Sequence, residues 1–207
     1  MRLRVAGIVE ESFVDGPGIR FTVFVQGCPH RCPGCHNPQT HAYEGGFWVE
    51  VGSLLARMEE NPLLDGLSLS GGEPFEQPEP LAELARLVQS RGQTVMTFTG
   101  YELDDLRSAG DLAVAALLEH TDLLVDGRFE VDRLDTARPW VGSTNQRFHA
   151  LTARYAGLVD SLTALPDRLE IHVAPSGRVE VNGWSDAASL EILLEGMRRQ
   201  PPSRARA

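Results

Sequence analysis

Short apolar segments alternate with longer amphipathic ones over the first 125 residues of the chain. Residues 19–26 alternate in polarity and are rich in β-branched and aromatic side chains, which predicts a strand, and 94–99 form a similar segment. Leu67–Ser70 and Leu123–Val125 predict two further short strands, each followed by a glycine-containing turn. The intervening segments predict helices, with apolar positions at helical spacing. These helices cover 49–60, 79–91, 102–108 and 111–119.

The strands and helices follow one another in alternation, and this order predicts a parallel sheet with helices packed outside it. The residues up to 150 are too few for an eight-unit barrel, which takes about 250 residues. We therefore expect an α/β fold that forms a partial or open barrel. In such folds the functional groups lie at the carboxyl ends of the strands.

The end of the chain has a different pattern. Residues 168–174 and 178–181 are two extended segments around a Pro-Ser-Gly turn, which predicts a β-hairpin. Ser185 is a candidate cap for a final helix over 186–199. We therefore divide the chain into three parts. They are a core over 1–150, a hairpin and helix extension over 151–200, and a disordered tail over 201–207.

Composition and charge narrow the class of protein. The chain has 207 residues and is 42% hydrophobic, which allows one domain with a sizeable core. It has no apolar run of 18 residues and no signal-like N-terminus, so we expect a cytoplasmic protein that binds no membrane. The net charge of −10 argues against a nucleic-acid partner. Four arginines nonetheless gather in one stretch, as a pocket for anionic groups or as a solvated surface. They are Arg128, Arg133, Arg138 and Arg147.

Three cysteines lie within eight residues, in the loop after the first predicted strand. Cys28, Cys32 and Cys35 have the spacing C-x3-C-x2-C. An odd, tightly clustered set does not suit a disulfide framework. Thiolates are soft donors that suit iron–sulfur clusters, and three of them can occupy three irons of a cubane. The fourth iron then has no protein ligand, so a molecule with an amino and a carboxylate group can chelate it.

Two other uses of these cysteines remain open. Zinc prefers four ligands in a closed site, and a nearby histidine could supply the fourth. The candidates are His30, His36 and His41. Cys32 and Cys35 could instead form a redox-active CxxC pair, which would leave Cys28 over. A non-catalytic zinc-binding module is therefore one alternative function.

The cysteine spacing after a strand resembles that of the radical S-adenosylmethionine superfamily. Residues 14–20 and 35–40 are similar to segments of the glycyl-radical enzyme activases. Four later segments resemble the branch of activases that serves anaerobic (class III) ribonucleoside-triphosphate reductase. They are 67–74, 99–106, 124–129 and 142–147. Gly34, just before the third cysteine, also fits that branch, whereas many members of the superfamily have an aromatic residue there.

The resemblance implies a partial (β/α)6-type radical S-adenosylmethionine barrel and a [4Fe-4S] cluster on the three cysteines. It also implies S-adenosylmethionine contacts on the cluster loop and at three strand ends. In these contacts Glu73 and Asp126 meet the ammonium group of the ligand, and Arg128 meets its carboxylate. The implied set is Gly34, Cys35, His36, Gly71, Gly72, Glu73, Thr99, Asp126 and Arg128, with Tyr101 as a further lining residue.

The implied activity is reductive cleavage of S-adenosylmethionine to a 5′-deoxyadenosyl radical. The radical would serve to install a glycyl radical on an anaerobic ribonucleotide reductase, with a reductant such as flavodoxin or ferredoxin. A radical enzyme for a small molecule is the alternative within this chemistry, of the 7-carboxy-7-deazaguanine synthase type or from a natural-product pathway. The residues after 150 depart from the branch, whose members end near there. They could complete the barrel, bind a partner or accompany a changed substrate.

Overall fold

The computed structural model describes residues 1–162, 169–173, 176–177, 179–183, 191–193 and 195. A mixed α/β architecture with one large sheet dominates these residues. In chain order its strands are β1 (Arg2–Ser12), β2 (Arg20–Val25), β3 (Phe47–Glu50), β4 (Gly66–Gly71), β5 (Thr94–Phe98), β6 (Leu123–Asp126) and β7 (Arg147–Ala150). The helices are α1 (Val51–Glu59), α2 (Pro78–Gln89), α3 (Leu103–Ser108), α4 (Leu112–Glu119) and α5 (Ala156–Val159). A second, two-stranded sheet pairs β8 (Leu169–Val173) with β9 (Val179–Gly183).

The large sheet has the strand order β3-β1-β2-β4-β5-β6-β7. Its centre, β2-β4-β5-β6, is parallel, and the strands at both edges are antiparallel to their neighbours. The predicted parallel sheet is confirmed for this centre, whereas the antiparallel strands β1, β3 and β7 were not foreseen. The loop 13–19 between β1 and β2 is too short for a parallel crossover, which takes about a dozen residues or more. In β1 the alternation of polarity is broken near Gly7, beside a shift in register.

The two faces of the sheet are covered differently. On one face α1, α2 and α4 pack over a continuous core. The sheet contributes Phe21, Val23, Val25, Leu67, Leu69 and Val95 to this core. On the other face Met96, Leu123 and Val125 lie beneath Trp140 and helix α5. Successive side chains of a strand point to opposite faces, so both faces draw on the same strands. The second layer covers only part of its face, and the rest borders a large cavity.

Polar side chains fix where two helices begin. Asp111 accepts hydrogen bonds from Ala113 N at 2.7 Å and from Val114 N at 3.2 Å, and so caps α4. Asp126, the last residue of β6, accepts from Leu103 N at 2.8 Å, at the start of α3. The carboxyl end of β6 is thereby joined directly to the first turn of a helix.

The predicted central strands and the helices before β6 are confirmed, with ends shifted by a few residues. The predicted hairpin is confirmed by the antiparallel pairing of β8 and β9. Residues 191–193 and 195 are helical, but the rest of the predicted helix over 186–199 and the tail 201–207 lie outside the described residues. The division at residue 150 stays a prediction. Among the described helices, none is long and apolar enough to cross a membrane.

Candidate functional site

The cysteine loop leaves the end of β2 and is closed at its base by backbone hydrogen bonds. Gly27 N donates to Thr40 O at 2.8 Å, and Cys28 N donates to His41 O at 3.2 Å. Gly27 has a φ of +99°, and a Cβ there would lie 2.8 Å from the ring of Tyr43. Glycine is therefore the residue that fits this turn, and Tyr43 covers it.

All three cysteines of this loop are free thiols. Cys28 is 8% exposed, whereas Cys32 and Cys35 are partly buried. Asn37 N donates to Cys35 Sγ at 3.4 Å. The backbone N–H groups of His30 and Arg31 donate to the Cys28 sulfur. Burial raises the pKa of the Cys28 and Cys35 thiols, and these N–H groups act in the opposite direction. Iron displaces the thiol proton on binding, and N–H donors to sulfur tune iron–sulfur clusters.

This donor set fits a cluster held by three cysteines. Arg31, with a φ of +48°, and Gly34, with a φ of +73°, turn the backbone between the cysteines. Within the described residues, no three Cys, His, Asp or Glu side chains lie close enough together to hold one metal ion. A zinc site needs such convergence on one atom, whereas a cubane places each cysteine on a different iron. The three free thiols on one short loop are soft donors of the kind that iron–sulfur clusters use.

Glu73, just past the end of β4, is a buried carboxylate with a full set of donors. It is 1% exposed. Its Oε1 accepts from Phe75 N at 3.0 Å and from Thr99 Oγ1 at 2.8 Å. Its Oε2 accepts from Gly100 N at 2.8 Å and lies 3.0 Å from His30 Nε2. An ionised carboxylate has about four acceptor positions, so these four partners occupy them.

His30 lies between the first two cysteines, and its side chain is 4% exposed. Its ring meets the ring of Tyr101 edge-on, with 4.5 Å between the centroids. A Cβ at Gly100 would lie only 2.4 Å from the His30 ring. The absence of a side chain at Gly100 therefore makes the space that His30 fills. The sequence analysis named His30 as a candidate zinc ligand. It did not foresee the contact between His30 Nε2 and Glu73 Oε2.

The glycines before Glu73 are required by the backbone beside them. A Cβ at Gly72 would lie 2.3 Å from Gly27 O, and one at Gly71 would lie 2.6 Å from Val25 N. Gly72 N donates to Val25 O at 2.8 Å, and Glu73 N donates to Gly27 O at 2.9 Å. The two glycines thus let the end of β4 lie directly against the start of the cysteine loop. A contact between these glycines and a ligand stays a prediction.

Asp126, a predicted ligand contact, pairs with Arg147 within the chain. Asp126 is fully buried, and it accepts from Arg147 Nε at 3.0 Å and Nη2 at 2.7 Å. His149 Nε2 lies 3.0 Å from Asp126 Oδ2, and Leu103 N donates to the same oxygen. Burial acts to raise the pKa of Asp126, but the hydrogen bonds from Arg147 and Leu103, with the nearby His149 ring, outweigh it and the pKa is lowered. Arg128 itself is exposed to solvent.

The neighbouring arginines have acidic partners as well. Arg133 pairs with Glu130 at 3.2 Å, and Arg138 pairs with Asp135 at 2.6 Å. Arg138 also donates to the carbonyl oxygens of residues 143, 144 and 146. These contacts hold the segment after β6 together. Arg138 and Arg147 also line a small pocket of about 250 Å³, so an anion site beside these arginines stays a prediction.

A cavity of about 1360 Å³ lies on the open face of the sheet, between the cysteine loop and the hairpin β8–β9. Of the predicted contact residues, Cys35 and His36 line it. Glu73, Thr99 and Asp126 are buried side chains and are not part of its lining. Aromatic rings form part of the lining. They belong to Phe13, Phe24, Phe98, Phe129 and Trp140. Small-molecule sites measure about 300–1,000 Å³, so this cavity exceeds the needs of one small ligand.

Comparison with known proteins places this site in a family. The family model described as a 4Fe-4S single cluster domain matches residues 14–149. A protein of Salmonella typhimurium strain LT2, the anaerobic ribonucleoside-triphosphate reductase-activating protein, is 39% identical over 149 residues, which is 68% of this chain and 94% of that one. The protein of that name from Escherichia coli strain K12 is 37% identical over 155 residues, with the same two shares. The chain belongs to the family of anaerobic ribonucleoside-triphosphate reductase-activating proteins.

A phage protein extends the range of relatives. The anaerobic ribonucleoside-triphosphate reductase-activating protein of Enterobacteria phage T4 is 33% identical over 147 residues, which is 68% of this chain and 90% of the phage protein. The predicted family and the predicted iron–sulfur cofactor are confirmed by these matches. The family model ends at residue 149, so the hairpin β8–β9 lies outside it.

Some residues important to the site carried no clear sequence signal. Gln146 is one of them, since its Oε1 accepts from Gly142 N at 2.8 Å and its Nε2 donates to Gly127 O at 3.1 Å. It fastens the turn after β6 to the segment before β7. The resemblance over 142–147 marked Gln146 and Arg147 without giving either a role. Their partners are distant in sequence, and only the fold brings them together.

Proposed function

We propose that this protein is a radical S-adenosylmethionine activase that installs a glycyl radical on an anaerobic ribonucleotide reductase. The observation that carries the proposal is the closed loop with three free thiols, which borders a large cavity in a chain of this family. A [4Fe-4S] cluster on Cys28, Cys32 and Cys35, when reduced, would supply the electron that cleaves S-adenosylmethionine to methionine and a 5′-deoxyadenosyl radical.

The residues of the chain hold, orient and shield these groups. The base of the loop is fixed to residues 40 and 41 by backbone hydrogen bonds, so the three thiols stay at the end of β2. The N–H donor on Cys35 Sγ stabilises negative charge on the sulfur. The aromatic side of the cavity excludes water from a reactive carbon radical. A cavity larger than one small ligand leaves room for a polypeptide segment that carries the target glycine.

The proposed S-adenosylmethionine contacts follow the resemblance, with unequal support. Cys35 and His36 have the best support because both line the cavity. Gly34, Gly71, Gly72, Thr99, Asp126 and Arg128 remain proposed contacts at the loop and at the strand ends. Asp126 is shared with Arg147, so a ligand ammonium group would have to join an existing ion pair. We further propose that the open sheet represents a partial (β/α)6-type barrel.

We also propose a cytoplasmic location and an electron donor of the flavodoxin or ferredoxin type. Both follow from the chemistry, since cleavage needs a strong reductant and an oxygen-free site. The acidic balance of the chain, with a net charge of −10, supports a protein partner instead of nucleic acid.

The test is anaerobic reconstitution of the full chain with iron and sulfide, followed by reaction with S-adenosylmethionine, a reductant and a candidate anaerobic reductase. We expect about four irons per chain. We also expect 5′-deoxyadenosine and a glycyl radical seen by electron paramagnetic resonance. Cleavage of S-adenosylmethionine without a radical on any reductase would point to a small-molecule substrate. Zinc in place of iron would refute the cluster itself.

A further inference from the structure

The site holds one carboxylate that has no free position for a ligand. Glu73 is 1% exposed, and both of its oxygens have two partners within the chain. An ammonium group would have to displace one of these donors and enter a space with no solvent access. Burying a carboxylate without its partners is costly, so the observed arrangement argues against a direct ligand contact.

The partner of Glu73 on the cysteine loop is His30. Both side chains are buried, and an ionised carboxylate only accepts, so His30 Nε2 donates to Glu73 Oε2 across 3.0 Å. His30 is two residues after Cys28 and two before Cys32. A shift of its ring would therefore move both thiols.

The His30 ring is confined by the residues packed around it. Gly100 leaves space for the ring, because a Cβ there would lie 2.4 Å from it. Tyr101 packs edge-on against its other side at 4.5 Å between the centroids. Glu73 also binds Gly100 N and Thr99 Oγ1, so one carboxylate joins the ends of β4 and β5 to the loop.

We infer that Glu73 is a positioning residue that holds the cluster loop in place through His30 and does not contact S-adenosylmethionine. The inference rests on the proposed function for the presence of the cluster, and it replaces the role that the resemblance gave to Glu73. Groups that hydrogen-bond around metal ligands typically change metal affinity or activity by about 10–100-fold when they are removed.

The test measures how long the cluster survives, using the full chain reconstituted without oxygen. Cluster absorbance is followed after addition of an iron chelator, for wild type, Glu73→Gln, His30→Ala and the double variant. We expect each single change to shorten the half-life about 10-fold or more. The double variant should be no worse than the worse single one, because both remove one interaction. Glu79→Gln is the control, because it removes an exposed charge at the start of α2. Its cluster half-life should match that of wild type.

A second measurement separates positioning from ligand binding. The affinity for S-adenosylmethionine is read from the change it causes in the electron paramagnetic resonance signal of the reduced cluster. For the fraction of Glu73→Gln that keeps its cluster, we expect a dissociation constant within about 3-fold of wild type, a change of less than 1 kcal/mol. If Glu73→Gln keeps its cluster as long as Glu79→Gln and binds S-adenosylmethionine more than 10-fold more weakly, the inference is wrong.

Changes at His30 keep the inference testable should Glu73→Gln fail to fold. His30→Gln retains a side-chain N–H that can donate to Glu73, so it should recover much of the half-life that His30→Ala loses. Equal losses in His30→Gln and His30→Ala would contradict the hydrogen bond as the cause. A wild-type protein that keeps its cluster but activates no reductase would refute the proposed function and leave these comparisons intact.

Discussion

The cysteine loop and the hairpin β8–β9 border the same cavity, but the fold holds them in different ways. The loop is fixed by buried contacts, including the pair of His30 and Glu73 and the close approach of Gly72 to Gly27. The hairpin is joined to the end of β1 and to the loop after it by Asn182. Its side-chain N–H donates to Ser12 Oγ at 3.0 Å and to Asp15 Oδ2 at 2.6 Å.

The side chains of the hairpin are also less buried than those of the core. Val173 is 53% exposed, Val179 is 39% exposed and Val181 is 37% exposed. The strands beneath the cysteine loop, by contrast, have fully buried side chains such as Phe21 and Leu67. Buried contacts fix geometry because every atom has neighbours, whereas a few hydrogen bonds contribute about 1 kcal/mol each. We therefore expect the core to support the cluster site without the hairpin.

The largest expected effect comes from the cysteines. Changing Cys28, Cys32 or Cys35 to Ala should abolish cluster assembly and formation of 5′-deoxyadenosine, because each thiolate serves a different iron. Iron content and product are measured after anaerobic reconstitution. Unchanged activity in any one of these variants would contradict the assignment of that cysteine. Gln93→Ala, at the opposite end of β5, is a suitable control because it lies far from the loop.

A smaller but still large effect is expected at Gly72. In Gly72→Ala the new Cβ would lie 2.3 Å from Gly27 O, so the end of β4 must move away from the loop. Overpacking of this kind costs about 1–3 kcal/mol. The free energy of unfolding in urea should fall by that amount.

Gly52→Ala is the matched control for this change. Gly52 lies in α1, and a Cβ there would have no neighbour within 4 Å. Alanine in a helix is favoured over glycine by about 0.5–1 kcal/mol, so this variant should be more stable than wild type. Equal effects of the two substitutions would show that β4 does not press against the loop.

The pair of Asp126 and Arg147 gives a pH-dependent effect. The pKa of Asp126 is lowered in the folded protein, so its stabilisation is present above the unfolded pKa, about 4, and is lost as the pH falls through the lower folded value. Arg147→Gln should cost about 1–2 kcal/mol at pH 7. The difference from wild type should be smaller at pH 3 than at pH 7, because pH 3 lies below the unfolded pKa of about 4 and the stabilisation declines from there.

Urea unfolding at the two pH values measures this dependence. Arg154→Gln is the control, because Arg154 is exposed and donates to the carbonyl oxygen of Gly92 at 2.8 Å. Its effect should not depend on pH. A constant difference between Arg147→Gln and wild type from pH 7 to pH 3 would count against the ion pair as the source of the stability.

The smallest effect is expected for the hairpin. Asn182→Ala removes two partly buried hydrogen bonds and should lower stability by at most about 2 kcal/mol. Amide hydrogen exchange should become faster in β8 and β9 and stay unchanged in β4 and β5. Faster exchange in β4 would show instead that the hairpin and the core unfold together.

The sequence by itself determined the elements that depend on local pattern. Periodicity predicted the four parallel strands and their helices, and the spacing of the cysteines with the flanking segments predicted the family and its cofactor. These signals are contained in short stretches of chain. The edge strands β3 and β7 were missed because an edge strand need not have a buried apolar face, and in β3 Phe47 and Trp48 are about half exposed. Strand β1 was missed because its alternation of polarity is broken near Gly7.

Only the tertiary structure decided which polar groups of the site meet. Asp126 pairs with Arg147 from the neighbouring antiparallel strand, a partner that the sequence did not indicate. Glu73 lies against His30, 43 positions away in the chain, and this contact was not foreseen either. Such partners depend on strand order and register, which bring distant residues within 3 Å. A buried charge must find its partners inside the fold, and the local sequence does not contain that information.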